Sequence, residues 1–190
     1  MIEFPRSIKD GDIELVKPAP TAENAKKLFG MIDSNRAYIS EWLVWVENVK
    51  TPNDQLLFLQ AMDNKENGDY IIKLCDELVG YAGFYKTDEK NLTAEMAYYL
   101  NQEYVGRGIM TRAVKMLERV AFEDIGLNRI EMKIEPENTK SVAIPKRSGY
   151  HLDGILRATK LRAGKFRDGM VYSKLKSEWE AENKNEKWSR

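Results

Sequence analysis

The chain changes from predicted strand to predicted helix at the stretch Val105-Gly106-Arg107-Gly108-Ile109-Met110-Thr111. Before it, the segment 93–100 is rich in aromatic residues, and after it apolar residues recur at helical spacing through 113–121. Two glycines one residue apart let the backbone turn tightly and direct consecutive N–H groups at one point. Because the first turn of a helix also has unpaired N–H donors and the positive end of the helix dipole, this stretch suits an anion, above all a phosphate.

The stretch differs from two common nucleotide-binding loops. A P-loop has a Lys and a Ser or Thr after its second glycine, and the dinucleotide-binding fingerprint has a third glycine. Neither feature is present here. On the glycines alone, a strand-to-helix connection without a ligand is therefore as compatible with the sequence as a phosphate site.

The composition predicts a single domain, 1–190, with a charged tail at about 178–190. The chain has 190 residues and is 43% apolar, which is enough for a substantial core. Its 30 basic and 30 acidic residues argue against binding nucleic acid by bulk electrostatics. The first twelve residues carry acids and a proline where a signal peptide has an apolar core, and no apolar run approaches membrane-spanning length. We therefore expect a cytoplasmic protein with no direct nucleic-acid partner and no membrane partner.

The chain has one cysteine, Cys75, and one histidine, His151. These counts exclude an intrachain disulfide and a Cys-based zinc site, and we expect no metal. Cys75 is the last residue of the predicted apolar strand 70–75, so we predict that it lies in the core. His151 starts a predicted strand, so we predict a surface or hydrogen-bonded residue. A covalent route that needs a nucleophile beside a base is therefore not favoured.

The remaining pattern predicts a mixed α/β fold. Predicted strands cover 12–17, 70–75, 78–85, 93–100, 129–134, 150–156 and 166–175. Predicted helices begin at Thr21, at Thr51-Pro52, within the glycine stretch and at Thr139. Because a helical connection normally makes two strands parallel neighbours, 93–100 and 129–134 should lie side by side. The glycine turn then lies at their carboxyl ends, where open α/β sheets bind ligands.

An aromatic segment at 38–46 contains Trp42 and Trp45. It is too polar for a membrane segment and too large for a simple turn. One interpretation is that it belongs to the core, and the other is that the two tryptophans form a wall of a substrate groove.

The order of these elements, with several short strings, resembles the GNAT superfamily of acyl-CoA-dependent N-acetyltransferases. Within it, the chain is most similar to the ribosomal-protein N-terminal acetyltransferases. The CoA loop of this group reads Gln/Arg-x-x-Gly-x-Gly/Ala; Gly108 matches its best-kept position, whereas Val105 and Met110 depart from the ends of the pattern. The other similar strings are 41–46, 138–141 followed by 146–150, and 171–173 with 178–179. The resemblance implies a mixed, mostly antiparallel sheet with a splayed central parallel strand pair and helices on both faces.

The resemblance also implies a reaction in which a primary amine attacks the thioester of acetyl-CoA directly. The glycine stretch would bind the diphosphate through backbone amides, with Thr111 facing a phosphate, and Asn138 would hold the pantetheine arm. Backbone N–H groups near Tyr99, Leu100 and Asn101 would stabilise the oxyanion.

Ser141 matches the serine to which this group's general-acid role is attributed. The alternative is that Ser141 merely opens the helix at 139–148. Tyr98, Tyr99 and Tyr104 are substitutes with a suitable hydroxyl.

The general base is less well marked. Some members of the group carry a glutamate where this chain has Lys160. Glu95, on the central strand, could act as the base through a water molecule, or it could be an ordinary exposed strand residue.

Without a strong base, the acceptor's own acidity matters. An α-amine has a pKa of about 7.7–8.0 and a lysine about 10.4, which favours the neutral α-amine by roughly 3.4 kcal/mol at pH 7. We therefore expect a protein N-terminus as acceptor, and the resemblance implies that of a ribosomal protein.

Two other functions stay open. Glu41 and Glu47, beside the tryptophans, keep open a small amine such as an aminoglycoside or a polyamine as acceptor. The lack of an obvious base would suit a non-catalytic CoA-binding module. The resemblance also implies a possible homodimer.

A basic run in the last predicted hairpin contains Arg157, Lys160, Arg162, Lys165 and Arg167. Such a run usually forms a solvated face. It could also attract an acidic protein substrate or bind the 3'-phosphate of CoA.

Overall fold

The computed structural model describes residues 2–64, 66 and 68–187, with the backbone alone for 185–187. The chain has an α/β fold whose eight described strands form a mostly antiparallel sheet with one parallel pair. The strands are β1 Ser7–Asp10, β2 Ile13–Val16, β3 Gly68–Leu74, β4 Glu77–Asp88, β5 Thr93–Leu100, β6 Arg129–Ile134, β7 His151–Arg162 and β8 Lys165–Leu175. The helices are α1 Ala22–Ser34, α2 Arg36–Ser40, α3 Pro52–Met62, α4 Ile109–Arg119, α5 Thr139–Arg147 and α6 Lys176–Lys187.

The chain contains two compact units. The first consists of Met1–Tyr85 and Tyr98–Met116, and β1 to β4 are antiparallel neighbours in chain order within it. Its core is apolar and is supplied by the first three helices and β3. The central residues of this core are Leu28, Ile32, Val46, Leu59, Met62 and Ile71.

The second unit consists of Lys86–Ala97 and Leu117–Arg190. In it β6 pairs with β8, and β8 pairs with β7, both antiparallel. The parallel ladder between β5 and β6 runs from the pair Thr93 and Arg129 to the pair Glu95 and Glu131. The predicted parallel neighbours are therefore confirmed, and both strands continue beyond the ladder that joins them.

Several helix ends follow the sequence closely. The Thr21 hydroxyl accepts the N–H of Asn24 at 3.2 Å and caps α1. Thr51 and Asp54 form a capping box at the start of α3, with Pro52 in the first turn. After α4, the π-helical turn Val120–Ile125 ends at Gly126, whose φ of 82° is in the left-handed region.

β1 was missed by the sequence analysis, because its alternation places one buried residue, Ile8, among exposed ones. The charged segment from 178 onward, for which the sequence allows a frayed helix or a loose tail, is helical up to Lys187. It belongs to α6, and Trp179 packs against Phe122 at 5.7 Å between ring centroids. Residues 188–190 lie outside the described part.

The core prediction for Cys75 is wrong. β3 ends at Leu74, and Cys75 and Asp76 form the turn to β4 with φ values of 47° and 70°. The thiol is exposed. The backbone N–H of Cys75 donates to the carbonyl of Asp12 at 3.0 Å, so this turn is joined to the turn between β1 and β2. None of the described helices is long and apolar enough to cross a membrane.

Candidate active site

The glycine stretch is an exposed loop that leads into α4. Gly106 and Gly108 have φ values of 86° and 76°, which favour glycine over any residue with a side chain. A Cβ atom built on either glycine has no other atom within 4 Å. Ile109 and Met110 are buried at the start of α4, whereas Val105 to Gly108 are exposed. The strand-to-helix turn is thus confirmed, and its role as an anion site stays a prediction.

The residues before the loop are fixed by contacts within the first unit. Tyr104 is buried, and its hydroxyl forms a hydrogen bond with the Glu77 carboxylate, which raises the pKa of Tyr104. The guanidinium of Arg107 lies over the Tyr104 ring at 5.1 Å. Because this hydroxyl already has a carboxylate partner and a raised pKa, Tyr104 is a poor substitute for the general acid.

The predicted oxyanion donors lie at the end of β5. The N–H of Asn101 donates to the carbonyl of Val79 at 2.9 Å, so this donor is already engaged. Within the described part of the chain, the Oδ1 atom of Asn101 is buried and has no hydrogen-bond partner. For Tyr99 and Leu100 the role stays a prediction.

Gly80 is a site residue that the sequence analysis missed. A Cβ atom there would lie 2.4 Å from the Tyr99 carbonyl oxygen and 3.1 Å from the Cα of Leu100. Only glycine allows β4 to approach this end of β5 so closely. The signal was present, because an isolated glycine in a strand pattern often marks a close backbone approach.

The predicted tryptophan wall is partly exposed and partly tied to the end of β5. Trp45 is 39% exposed, and its ring centroid lies 5.8 Å from that of Tyr99. Tyr99 in turn stacks on Tyr81 at 5.6 Å. Trp42 is half-buried, whereas Val46 in the same segment is fully buried. The segment therefore contributes to the core through Val46, and the role of Trp42 and Trp45 as a wall of a substrate groove stays a prediction.

Burial determines the acidity of the two stacked tyrosines. It raises the pKa of Tyr99, and it raises that of Tyr81 together with the charge of Asp69, which accepts the Tyr81 hydroxyl. Both hydroxyls therefore stay protonated at neutral pH, but each is a weaker acid than an ordinary tyrosine.

Glu95, the candidate base, is a buried residue of the second unit. Its side chain is 9% exposed, and its Oε2 atom accepts from the Nζ of Lys133 at 2.8 Å, with the Nζ of Lys86 at 3.9 Å. The alternative of an exposed strand residue is therefore wrong. The hydrogen bond to Glu95 raises the pKa of Lys133, so the ammonium persists at neutral pH.

Ser141 and Asn138 lie together at the start of α5. The Oδ1 atom of Asn138 accepts the N–H of Ser141 at 3.1 Å and caps the helix. Asn138 therefore supplies the cap, and Ser141 lies in the first turn of the helix, so its role as general acid stays a prediction. The side chain of Ser141 is half-buried in the first helical turn. Since the Asn138 oxygen is engaged, its amide NH₂ is the group left to contact a ligand.

The comparisons with known proteins agree with this geometry. A model of the acetyltransferase (GNAT) domain matches residues 15–151. The chain belongs to the GNAT acetyltransferase family. It is accordingly an acetyl-CoA-dependent N-acetyltransferase, and the predicted enzyme class is confirmed.

Three GNAT relatives are informative. The chain is 31% identical to the putative ribosomal N-acetyltransferase YdaF of Bacillus subtilis over 175 residues, which cover 90% of this chain and 93% of that protein. It is 26% identical to the ribosomal-protein-serine acetyltransferase of Escherichia coli over 159 residues, 81% of this chain and 89% of that one. The crystal structure of the microcin C7 self-immunity acetyltransferase MccE with acetyl-CoA and AMP has a TM-score of 0.82 and 28% identity, covering 90% and 97% of the two chains.

In this GNAT chain, part of the basic hairpin run is neutralised locally. Arg162 donates to the Glu135 carboxylate at 2.8 Å, and Arg167 lies 4.0 Å from that of Glu137. Lys160 donates to the carbonyl of Lys133 at 3.2 Å. Arg157 and Lys165 are exposed. The run is therefore only in part a solvated face, and its acidic partners lower the net charge that it can offer to a substrate.

No group of three described His, Cys, Asp or Glu side chains is arranged to hold a metal ion.

Proposed function

We propose that this enzyme transfers the acetyl group of acetyl-CoA to the N-terminal α-amine of a ribosomal protein in the cytoplasm. The similarity to YdaF and to the ribosomal-protein-serine acetyltransferase supports this acceptor class. The observation that carries the proposal is the contact between Glu95 and Lys133, because one oxygen of the candidate base is already engaged by an ammonium.

A site of this kind selects its acceptor by availability of the neutral amine. The remaining oxygen of Glu95 can accept a proton through one water molecule, which suits a group that is already partly deprotonated. At pH 7, an α-amine supplies roughly 300 times more neutral form than a lysine. A lysine or a polyamine needs a stronger base than the described residues provide.

The chain's own groups have separate tasks in the transfer. Backbone N–H groups of 105–111 bind the diphosphate, and the Asn138 amide contacts the pantetheine arm. The neutral amine attacks the thioester carbonyl, the carbon–sulfur bond breaks, and the Ser141 hydroxyl gives its proton to the departing thiolate. The acceptor's surplus proton passes through water to Glu95, and exchange with solvent then returns one proton from Glu95 to the Ser141 oxygen, so the enzyme regains its starting protonation.

The acceptor proposal is tested by incubating the enzyme with acetyl-CoA and recording thiol release with a panel of amines. The panel contains a peptide that copies a ribosomal-protein N-terminus, the same peptide with a blocked N-terminus and an internal lysine, spermidine, and an aminoglycoside. We expect release with the free α-amine alone. Release with spermidine or the aminoglycoside, but not with the peptide, would replace this acceptor by a small amine.

The pH dependence of the acetylation rate gives a second test of the acceptor. With the free peptide at concentrations far below KM, the rate should rise up to about pH 8, where the α-amine loses its proton. A rate that still rises beyond about pH 9 would indicate a lysine-like acceptor group.

A further inference from the structure

The first turn of α4 is attached to the turn between β1 and β2 by one side chain, Arg112. Its Nε donates to Oδ2 of Asp10 at 3.1 Å, and one terminal nitrogen donates to Oδ1 of Asp12 at 2.7 Å. The other terminal nitrogen donates to the backbone carbonyl of Asp10 at 2.5 Å. The guanidinium is thus held in three directions by residues about a hundred positions earlier in the chain. We call Arg112, Asp10 and Asp12 the clamp.

The turn between β1 and β2 is shaped to receive this guanidinium. Gly11 separates the two aspartates with a φ of 59°, and a Cβ atom there would lie 3.3 Å from a terminal nitrogen of Arg112. The carbonyl of Asp12 also accepts the N–H of Cys75, which fixes this turn to the turn between β3 and β4. The clamp therefore attaches α4 to the turn between β1 and β2, which is itself attached to the turn between β3 and β4.

Arg112 also connects the clamp to the glycine loop. Its backbone N–H donates to the carbonyl of Gly108 at 3.1 Å and so closes the first turn of α4. Because the side chain of Arg112 is held in place, its backbone N–H also holds the carbonyl of Gly108 in place. The peptide planes after Gly108 belong to this turn, so their direction depends on it.

Arg112 offsets the negative charge of the two aspartates in the clamp. Two carboxylates near a diphosphate site would repel the ligand, and Arg112 neutralises much of their charge. The hydrogen bond from Arg112 is the main reason that the pKa of Asp12 is lowered, and the same contact raises the pKa of Arg112. Asp12 and Arg112 are therefore both ionised at neutral pH.

The three side chains of the clamp are exposed to solvent, which limits their contribution to the stability of the whole chain. The side chains of Arg112, Asp10 and Asp12 are 39%, 55% and 50% exposed. Ion pairs as exposed as these contribute little to the free energy of unfolding. The clamp adds little to the free energy of unfolding, but it fixes the first turn of α4. Its main effect is therefore to order the backbone of the loop 105–111.

We propose that the clamp is a positioning device for the CoA loop: Arg112, held by Asp10 and Asp12, presets the backbone of 105–111 for the diphosphate and is not itself a phosphate ligand. The proposal rests on the assignment of 105–111 as the diphosphate site. Preorganisation lowers the ordering cost of binding, so its loss weakens affinity without touching the reacting atoms.

The test measures the Kd of CoA by calorimetry, which needs no acceptor. We compare Arg112→Ala, Arg112→Lys and the double variant Asp10→Asn with Asp12→Asn. The control is Lys27→Ala, which removes an exposed pair with Glu23 of the same unit at 2.7 Å. We expect about tenfold weaker CoA binding for Arg112→Ala and for the double variant, partial recovery in Arg112→Lys, and no change in the control. With acetyl-CoA and a working acceptor, KM should rise while kcat is kept.

The double variant distinguishes positioning from direct binding. If Arg112 were a phosphate ligand held back by the aspartates, freeing it would tighten CoA binding, and this result would overturn the proposal. Wild-type affinity in Arg112→Ala would overturn it as well. If Arg112→Ala fails to fold, Arg112→Lys and the double variant carry the test. Unchanged CoA affinity in Gly108→Val would instead show that the loop assignment, and with it the donor site, is wrong.

Discussion

The two units each contain a group of linked charges, and the groups are built in opposite ways. The clamp in the first unit is exposed and is joined to the backbone of a binding loop. In the second unit, Lys174 is 1% exposed, and its Nζ donates to the Ser148 carbonyl at 2.7 Å and to Glu182 at 2.5 Å, with Glu118 at 3.7 Å. Exposed charges can change without unfolding the chain, whereas a buried charge depends on a complete set of partners.

This difference suggests a division of tasks. In the first unit, the loop backbone is exposed, and the charges of the clamp can order this backbone while adding little to the free energy of unfolding. The second unit uses Lys174 to attach α6 through Glu182, and Trp179 on the same helix packs on Phe122. The predictions below test this contrast.

The largest effect is expected where the exposed backbone binds. Gly108→Val should reduce CoA binding below detection, because a β-branched side chain opposes the φ of 76° and projects into the open space above the loop. Calorimetry with CoA measures it. Gly126→Val is the matched control, since Gly126 has a φ of 82°, open space around its Cβ position and no place in the site. Equal loss of CoA binding in both variants would indicate strain alone.

The next effect concerns the buried group. Lys174→Met removes the cation but leaves the Glu118 carboxylate, whose side chain is 4% exposed. The free energy of unfolding should fall by about 3–5 kcal/mol, measured by urea titration. Lys27→Met, in an exposed pair, should change it by less than about 0.5 kcal/mol. Similar losses in the two variants would remove the contrast between buried and exposed charges.

A smaller effect is expected for catalysis in the second unit. Ser141→Ala should lower kcat by about 10²-fold, because the departing thiolate loses its proton donor. The Kd of CoA should stay within about twofold, since the cap of α5 comes from Asn138. Steady-state kinetics and calorimetry separate the two quantities, and Ser40→Ala serves as control. Full activity in Ser141→Ala would exclude it as the general acid.

The smallest expected effect concerns a buried lysine in the first unit. It tests whether burial of a charge, and not membership of one unit, determines the effect on stability. Lys17 is 5% exposed, and burial lowers its pKa from 10.5 to about 8. Between pH 8 and 10.5 the unfolded chain keeps this proton and the folded chain does not, so stability rises with pH by about 2 kcal/mol. Lys17→Met should abolish this rise. Urea titrations at several pH values measure it, and an equal rise in the variant would assign it to other groups.

The sequence predicted those features whose causes are local. Thr21 as a helix cap and the tight turn at Gly106 and Gly108 each depend on a few neighbouring residues. The parallel pairing of β5 and β6 followed from the helix that connects them. Family resemblance then supplied the donor and the reaction class.

The features that the sequence did not reveal depend on partners far along the chain. The burial of Glu95 requires Lys133, 38 positions away, and the engagement of the Asn101 N–H requires the carbonyl of Val79 on another strand. Cys75 was assigned to the core because its neighbours are apolar. A one-residue difference in where β3 ends placed it in a turn instead.

The exposed position of Cys75 has a practical consequence for measuring this enzyme. A colorimetric disulfide reagent that detects free CoA will also modify this side chain, giving one equivalent of signal per chain before any turnover. That stoichiometric background does not grow with time, whereas true product does. Cys75→Ser removes it. Conversely, a fluorophore attached at Cys75, whose backbone N–H donates to the carbonyl of Asp12, would give an optical signal next to the turn that receives Arg112.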